Sequence, residues 1–232
     1  MGHVDVADGL PDPCEQHAPA TINVYTDGSL LHSQPKWTSL GGAAAWWPRR
    51  TLVDDQLAPG ENQIAVFFEQ RPDGVMCSTP VPGHNSSSTR AEIAAGILAI
   101  SGPGPVHIGT DSMAFLLKAT AVVSFIRAGD QPYRWLAVHN DGDLWAMFER
   151  AVRAKGAHAV AFTKVKAHST EEDLAKGKIT LADRVGNDKA DAAAKEAATA
   201  SRPKLAPMME RLAQRQLFYN RLVHRIAQRI VE

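Results

Sequence analysis

The chain has 232 residues, 44% of them hydrophobic and 22% charged, which suits one soluble domain with a real core plus extensions. Lys+Arg and Asp+Glu each count 25, so the formal net charge is zero. That excludes a protein gripping a polyanion by bulk charge alone, but not a local basic groove beside an acidic site. Cys14 and Cys77 have no Cys-x-x-Cys spacing and no neighbouring His pattern, which argues against a disulfide framework or a zinc site.

Residues 1–20 are rich in Asp, Gly and Pro and read as a flexible leader, with no apolar h-region to make a secretory signal. Thr21–Thr26 alternates β-branched and aromatic residues and predicts a strand ending at the turn Asp27-Gly28. Gly41–Trp47 and Gln63–Glu69 predict two more strands, and Val75–Pro80 extends the sheet. The hydroxyls of Ser86 to Thr89 offer N-caps for a helix over Arg90–Ile100, which Gly102-Pro103-Gly104-Pro105 ends. Val106–Thr110 is a short apolar strand and Asp111–Ala121 a helix. Arg127–Asp141 reads as loop, Asp143–Lys155 as an amphipathic helix and Ala159–Lys164 as a strand. Ala167–Gly186 is polar and irregular, and the Ala-rich Asn187–Thr199 is helical by propensity. This order predicts a mixed α/β layer with helices against a sheet over residues 21–200. Residues 201–232 differ: Leu212, Tyr219, Leu222, Ile226 and Ile230 recur at helical spacing, with Arg211, Arg215, Arg221, Arg225 and Arg229 on the other side. That is an amphipathic helix with a basic face, packed on the domain, bound to a partner or tethering nucleic acid. No apolar run is long enough to span a bilayer, so the expectation is an intracellular protein, cytoplasmic or nuclear, without a membrane partner.

Four acids stand out by position. Asp27 and Asp111 each close a predicted strand, Glu92 lies in the first turn of a helix, and Asp191 lies on the last Ala-rich helix. Ligand sites of open α/β sheets gather beyond the carboxyl ends of strands, so the two aspartates can converge there. Singly, each acid is ordinary: a turn residue, a helix-dipole partner, an N-cap. Together, converging carboxylates repel and require a cation, and oxygen ligands without Cys or His favour Mg²⁺, or Mn²⁺, over zinc. Two such ions suit phosphoryl transfer. The tryptophans at 46, 47 and 145 read as core, while Trp135, in the loop, is a candidate for nucleic-acid contact.

The ordered set Tyr-Thr-Asp-Gly-Ser (25–29), Ser-Thr-Arg-Ala-Glu-Ile (88–93), Thr-Asp-Ser (110–112), Asp-Leu-Trp (143–145), Val-Lys-Ala-His (165–168) and Asn-Asp-Lys-Ala-Asp (187–191) resembles type 1 ribonuclease H, of cells and of retroelements. The matches run from Ile22 to Ala198 in the family order. The resemblance implies a ribonuclease H-like α/β fold, with the C-terminal amphipathic helix added. It also implies an endonuclease hydrolysing the RNA strand of RNA–DNA hybrids with two Mg²⁺ ions. Asp27, Glu92, Asp111 and Asp191 would then hold the metals, and His168 would assist proton transfer or product release. Ser88, Thr89 and Arg90 would meet the RNA minor groove, where 2′-hydroxyls distinguish RNA from DNA. Gly28, Ser29 and Asn187 join them as substrate-binding residues. Asn187 and Asp191, four apart, share a helix face.

Three features depart from the family pattern. His168 and Asn187 are separated by an insert, Ser169–Gly186, that puts the position of His168 in doubt and is a candidate flap or partner site. The stretch Ile126–Asn140 carries only Arg127 and Arg134 where bacterial members have a strongly basic protrusion. Leu30–Thr38 replaces a glycine-rich, Asn-containing turn. A protein partner or reverse transcriptase, reached through the C-terminal helix or the insert, is therefore a second expectation. Two other readings compete: a non-catalytic or partner-dependent hybrid-binding domain of a retroelement polyprotein, and another nuclease of the same superfamily.

Overall fold

The computed structural model describes residues 10–33, 36–54, 56–81, 87–129, 140–200 and 203–231. Trp135 and Arg134 lie outside them. Six strands form one mixed sheet: β1 (Val24–Leu31), β2 (Leu40–Pro48), β3 (Phe67–Arg71), β4 (Gly74–Val81), β5 (Val106–Thr110) and β6 (Val160–Lys164), in the order β3-β4-β2-β1-β5-β6. β1, β2, β4 and β3 pair antiparallel in that order, while β5 and β6 run parallel to β1. The helices are α1 (Pro59–Ile64), α2 (Ser88–Ser101), α3 (Met113–Arg127), α4 (Gly142–Lys155), α5 (Glu171–Ala175), α6 (Leu181–Ala200) and α7 (Ala206–Val231).

The central strands are covered on both faces, and their side chains divide by the period of two. Val24, Ala45, Trp47, Val75 and Cys77 pack with α2, α3 and α4, through Ile93, Ile97, Phe115 and Phe148 among others. Their neighbours Tyr25, Ala44, Trp46 and Met76 pack on the opposite face with Ala190, Ala193 and Ala194 of α6. The sheet is thus the middle of three layers. The third layer sits close because α6 presents alanines to it. A Cβ on Gly42 would lie 2.0 Å from the Ala194 carbonyl oxygen, so this part of β2 must be glycine.

Several elements differ from the sequence expectation. β1 does not stop at Asp27-Gly28; it runs to Leu31, because Asp27, Gly28 and Ser29 continue the antiparallel ladder opposite Ala44, Ala43 and Gly42. Ladder hydrogen bonds outweigh the local turn preference of Asp-Gly. Gln63-Ile64 belongs to α1 rather than to a strand, since Pro59 opens a helix and Glu61 accepts from the Ala58 N–H at 3.2 Å. β4 is a full eight-residue strand between β2 and β3. α3 continues to Arg127 and is capped by Ser112, not Asp111, whereas α2 is capped by Ser87, one of the expected hydroxyls. Ala167–Gly186 is not wholly irregular: it holds α5, closed by a Thr170–Asp173 capping box, and the first turns of α6, where Thr180 caps the Asp183 N–H. Residues 10–20, expected as the end of a flexible leader, bond to the domain. Cys14 and Ala18 donate to the Lys155 and His158 carbonyls at 2.8 and 3.0 Å, and the Pro19 carbonyl meets His107 Nδ1 at 2.8 Å.

Candidate active site

Glycine sets the first distance in the site. A Cβ on Gly28 would lie 2.2 Å from the Glu92 nitrogen, so its absence lets α2 cross directly over β1. That crossing brings Glu92, in the first turns of α2, beside Asp27 on β1. Asp111 arrives from the neighbouring parallel strand, one residue past the end of β5. Asp27, Glu92 and Asp111 each offer one carboxylate oxygen, and these all lie within 4.8 Å of one another.

The cluster is poorly solvated. Asp27 is 6% exposed and Glu92 8%, and Glu92 Oε2 is buried without a hydrogen-bond partner among the described residues. Burial, then repulsion from Asp111 and Asp191, pushes the Asp27 carboxyl up to about 7. Burial, then repulsion from Asp27 and Asp111, pushes Glu92 up to about 9. Three acids that cannot comfortably ionise together, with no Cys or His in the trio, form a pocket that could hold a hard divalent cation.

The remaining expected residues are placed unequally. Asp191 acts on Asp27 through its charge but stands outside the compact trio, and it accepts from Lys195 Nζ at 2.6 Å. Asn187, buried on α6, donates from Nδ2 to Asp111 Oδ2 at 3.4 Å, while its Oδ1 has no partner among the described residues. Ser29 is buried within β1, Ser88 is exposed and Thr89 half-buried in the first turn of α2. Arg90 makes a two-pronged pair with Asp143, at 2.8 and 2.6 Å, and also approaches Asp141. The Asp-Leu-Trp segment is therefore structural on both counts: Asp143 holds Arg90, and Trp145 is buried against Phe115 and Phe148. His168 is exposed, at φ 44°, in the turn between β6 and α5, and is not a member of the acidic cluster.

Two lysines escaped the sequence reading. Lys164, the last residue of β6, donates to the Asp111 and Val165 carbonyls at 2.7 and 2.6 Å, and its charge partly offsets the upward shift of Glu92. Nothing in the sequence pairs it with an acid more than 50 residues away. Lys195, by contrast, stands four residues after Asp191 on one helix, a spacing that was readable.

Residues 19–199 match the RNase H family model. No curated protein sequence is matched. Among solved structures, the solution structure of the PFV RNase H domain is similar at 19% identity and TM-score 0.47, over 76% of this chain and 93% of that one. LC9-RNase H1, a type 1 RNase H with the type 2 active-site motif, is similar at 17% and 0.46, over 82% and 74%. The Prototype Foamy Virus protease-reverse transcriptase is similar at 19% and 0.47, over 78% of this chain and 22% of that one. These TM-scores fall below 0.5, so the assignment rests on the family match, which spans most of the sequence and contains every residue of the acidic cluster: the chain belongs to the RNase H family.

Proposed function

We propose that the chain is an endonuclease that hydrolyses the RNA strand of RNA–DNA hybrids at a divalent-metal site formed by Asp27, Glu92 and Asp111, with Asp191 completing it. The observation that carries this reading is the acidic trio, with Asp27 and Glu92 buried, Asp111 partly exposed and one Glu92 oxygen unpartnered among the described residues. An unneutralised acidic cluster destabilises a fold, and an all-oxygen donor set suits Mg²⁺, with Mn²⁺ a workable substitute. Two bound Mg²⁺ ions would supply Lewis acidity to the attacking water and the departing 3′ oxygen.

The chain's own residues do the rest. Asn187 orients Asp111, and Lys195 orients Asp191, each by a hydrogen bond. Ser88 and Thr89, beside Glu92 on α2, present hydroxyls to RNA 2′-hydroxyls. His168, carried on an exposed turn, is assigned proton transfer at the leaving 3′ oxygen, since an imidazole can both take up and give back a proton. Water adds to phosphorus, the P–O3′ bond breaks, and the products are a 3′-hydroxyl and a 5′-phosphate. Arg90, held by Asp143, fixes the start of α2 rather than reaching freely for the substrate.

The test uses end-labelled RNA–DNA hybrid, double-stranded RNA and double-stranded DNA, with Mg²⁺ and with EDTA, and Asp27→Asn alongside. The expected result is internal cuts confined to the RNA of the hybrid, abolished by EDTA and by the substitution. Hybrid that is bound but uncut in both Mg²⁺ and Mn²⁺ overturns the catalytic reading. Cut duplex DNA reassigns the substrate.

A further inference from the structure

The zero net charge conceals a division. Of the 25 basic and 25 acidic residues, seven basic and two acidic fall in residues 201–232, which leaves residues 1–200 with 18 basic and 23 acidic. Four of those acids precede residue 19, so the family-matched residues 19–199 hold 18 basic and 19 acidic residues and are nearly neutral, while the excess positive charge is concentrated on one helix. On α7, Arg211, Arg215, Arg221, Arg225 and Arg229 fall within an arc of about 120° at 100° per residue. All five are exposed, and none forms an ion pair or side-chain hydrogen bond among the described residues. Phe218, 68% exposed, projects from the same arc. Only Ala213 of α7 is buried, and the helix lies against the turn Lys36–Thr38 that joins β1, the strand of Asp27, to β2.

We infer that the arginine face of α7 is a contact for the phosphate backbone of a nucleic-acid duplex, so that a nearly neutral domain binds a polyanion through a separate basic helix; this rests on the chain binding hybrids, not on its cutting them. Charge complementarity selects this occupant. Phosphates meet unpaired guanidiniums bidentately, and Phe218 adds an apolar contact among them. A second copy of α7 fits poorly. Pairing through the adjoining Tyr219, Leu222, Ile226 and Ile230 would bring the two arginine rows together, with Glu210 the only acid among the described residues of the helix.

The experiment measures binding of the full chain to a short fluorescent RNA–DNA hybrid in EDTA, so cleavage plays no part. Salt is varied from about 50 to 200 mM. Replacing Arg215, Arg221 and Arg225 together by Gln should lower affinity by about tenfold or more and flatten the slope of log affinity against log salt by roughly two to three. The triple Lys variant should keep the parent slope, and circular dichroism should show all three proteins equally folded. Vesicles of phosphatidylserine and phosphatidylcholine form a parallel arm. An unchanged slope in the Gln variant overturns the inference, whether or not that variant loses vesicle binding. A slope lost equally in the Lys variant overturns it too. Loss of cleavage in Mg²⁺ with intact, salt-sensitive binding would sink the nuclease reading and leave this one standing.

Discussion

Asn187 shows how a residue beyond the acidic trio sets its geometry. The buried amide donates to Asp111 Oδ2, which restrains the orientation of that carboxylate. Residues that orient metal ligands typically contribute about 10- to 100-fold in metal affinity or activity. Asn187→Ala should therefore raise the Mg²⁺ concentration for half-maximal cleavage by about tenfold or more. Unfolding temperature should move little in EDTA, because the bond lost is long and the partner Asp111 retains solvent access. A Mg²⁺ titration of activity, with kcat compared at saturating metal, checks this. An unchanged titration curve with a lowered kcat would mean that Asn187 serves the substrate instead.

At the scale of elements, two close crossings hold the site. α2 approaches β1 over Gly28, and α6 approaches β2 over Gly42. At Gly42 an added methyl meets backbone, which cannot rotate away, so α6 would have to withdraw. Overpacking of a core costs about 1–3 kcal/mol. For a domain of this size that is a fall in Tm of about 2–12 °C for Gly42→Ala. Withdrawing α6 also retracts Asn187 and Asp191, so activity should fall more than stability explains; calorimetry and the cleavage assay on one preparation decide it. These crossings also explain what was legible in the sequence. The apolar run Gly41–Trp47 marks β2 plainly, and the acids at 27, 92, 111 and 191 are identifiable from their motifs. The run of β1 past Asp27-Gly28 was not, because a ladder partner some fifteen residues away overrides a local turn signal. Nor was the early start of α6: Leu181 to Gly186 look polar and irregular until Thr180 caps them and Tyr25 donates to Asp183 at 2.8 Å. Lys164 was hidden for the same reason, since its bond to the Asp111 carbonyl crosses to another strand end.

At the scale of the whole molecule, the site sets how stability depends on pH. Asp27 and Glu92 hold their protons more tightly in the fold, at about 7 and about 9, than at their ordinary values of 3.8 and 4.5. Between those limits the folded state binds more protons than the unfolded chain, so the stability of metal-free protein falls as pH rises. The stabilisation from the protonated acids is complete below about pH 4 and is lost progressively up to about pH 9. A divalent cation reverses the sign, because it binds the ionised acids in the folded state alone and adds stability by mass action. The gap in Tm between Mg²⁺-loaded and EDTA-treated protein should therefore widen from pH 6 to pH 9. The metal-free loss is on the order of 5 kcal/mol, or ~10–20 °C in Tm, over that range. Glu92→Gln removes the most strongly shifted acid, so its EDTA curve should be flatter and should lie above that of the parent at pH 9, while its response to Mg²⁺ shrinks. Scanning calorimetry across the pH series gives both curves. Parallel metal-free curves for parent and variant would show that the buried cluster is neutralised by something other than its own protons.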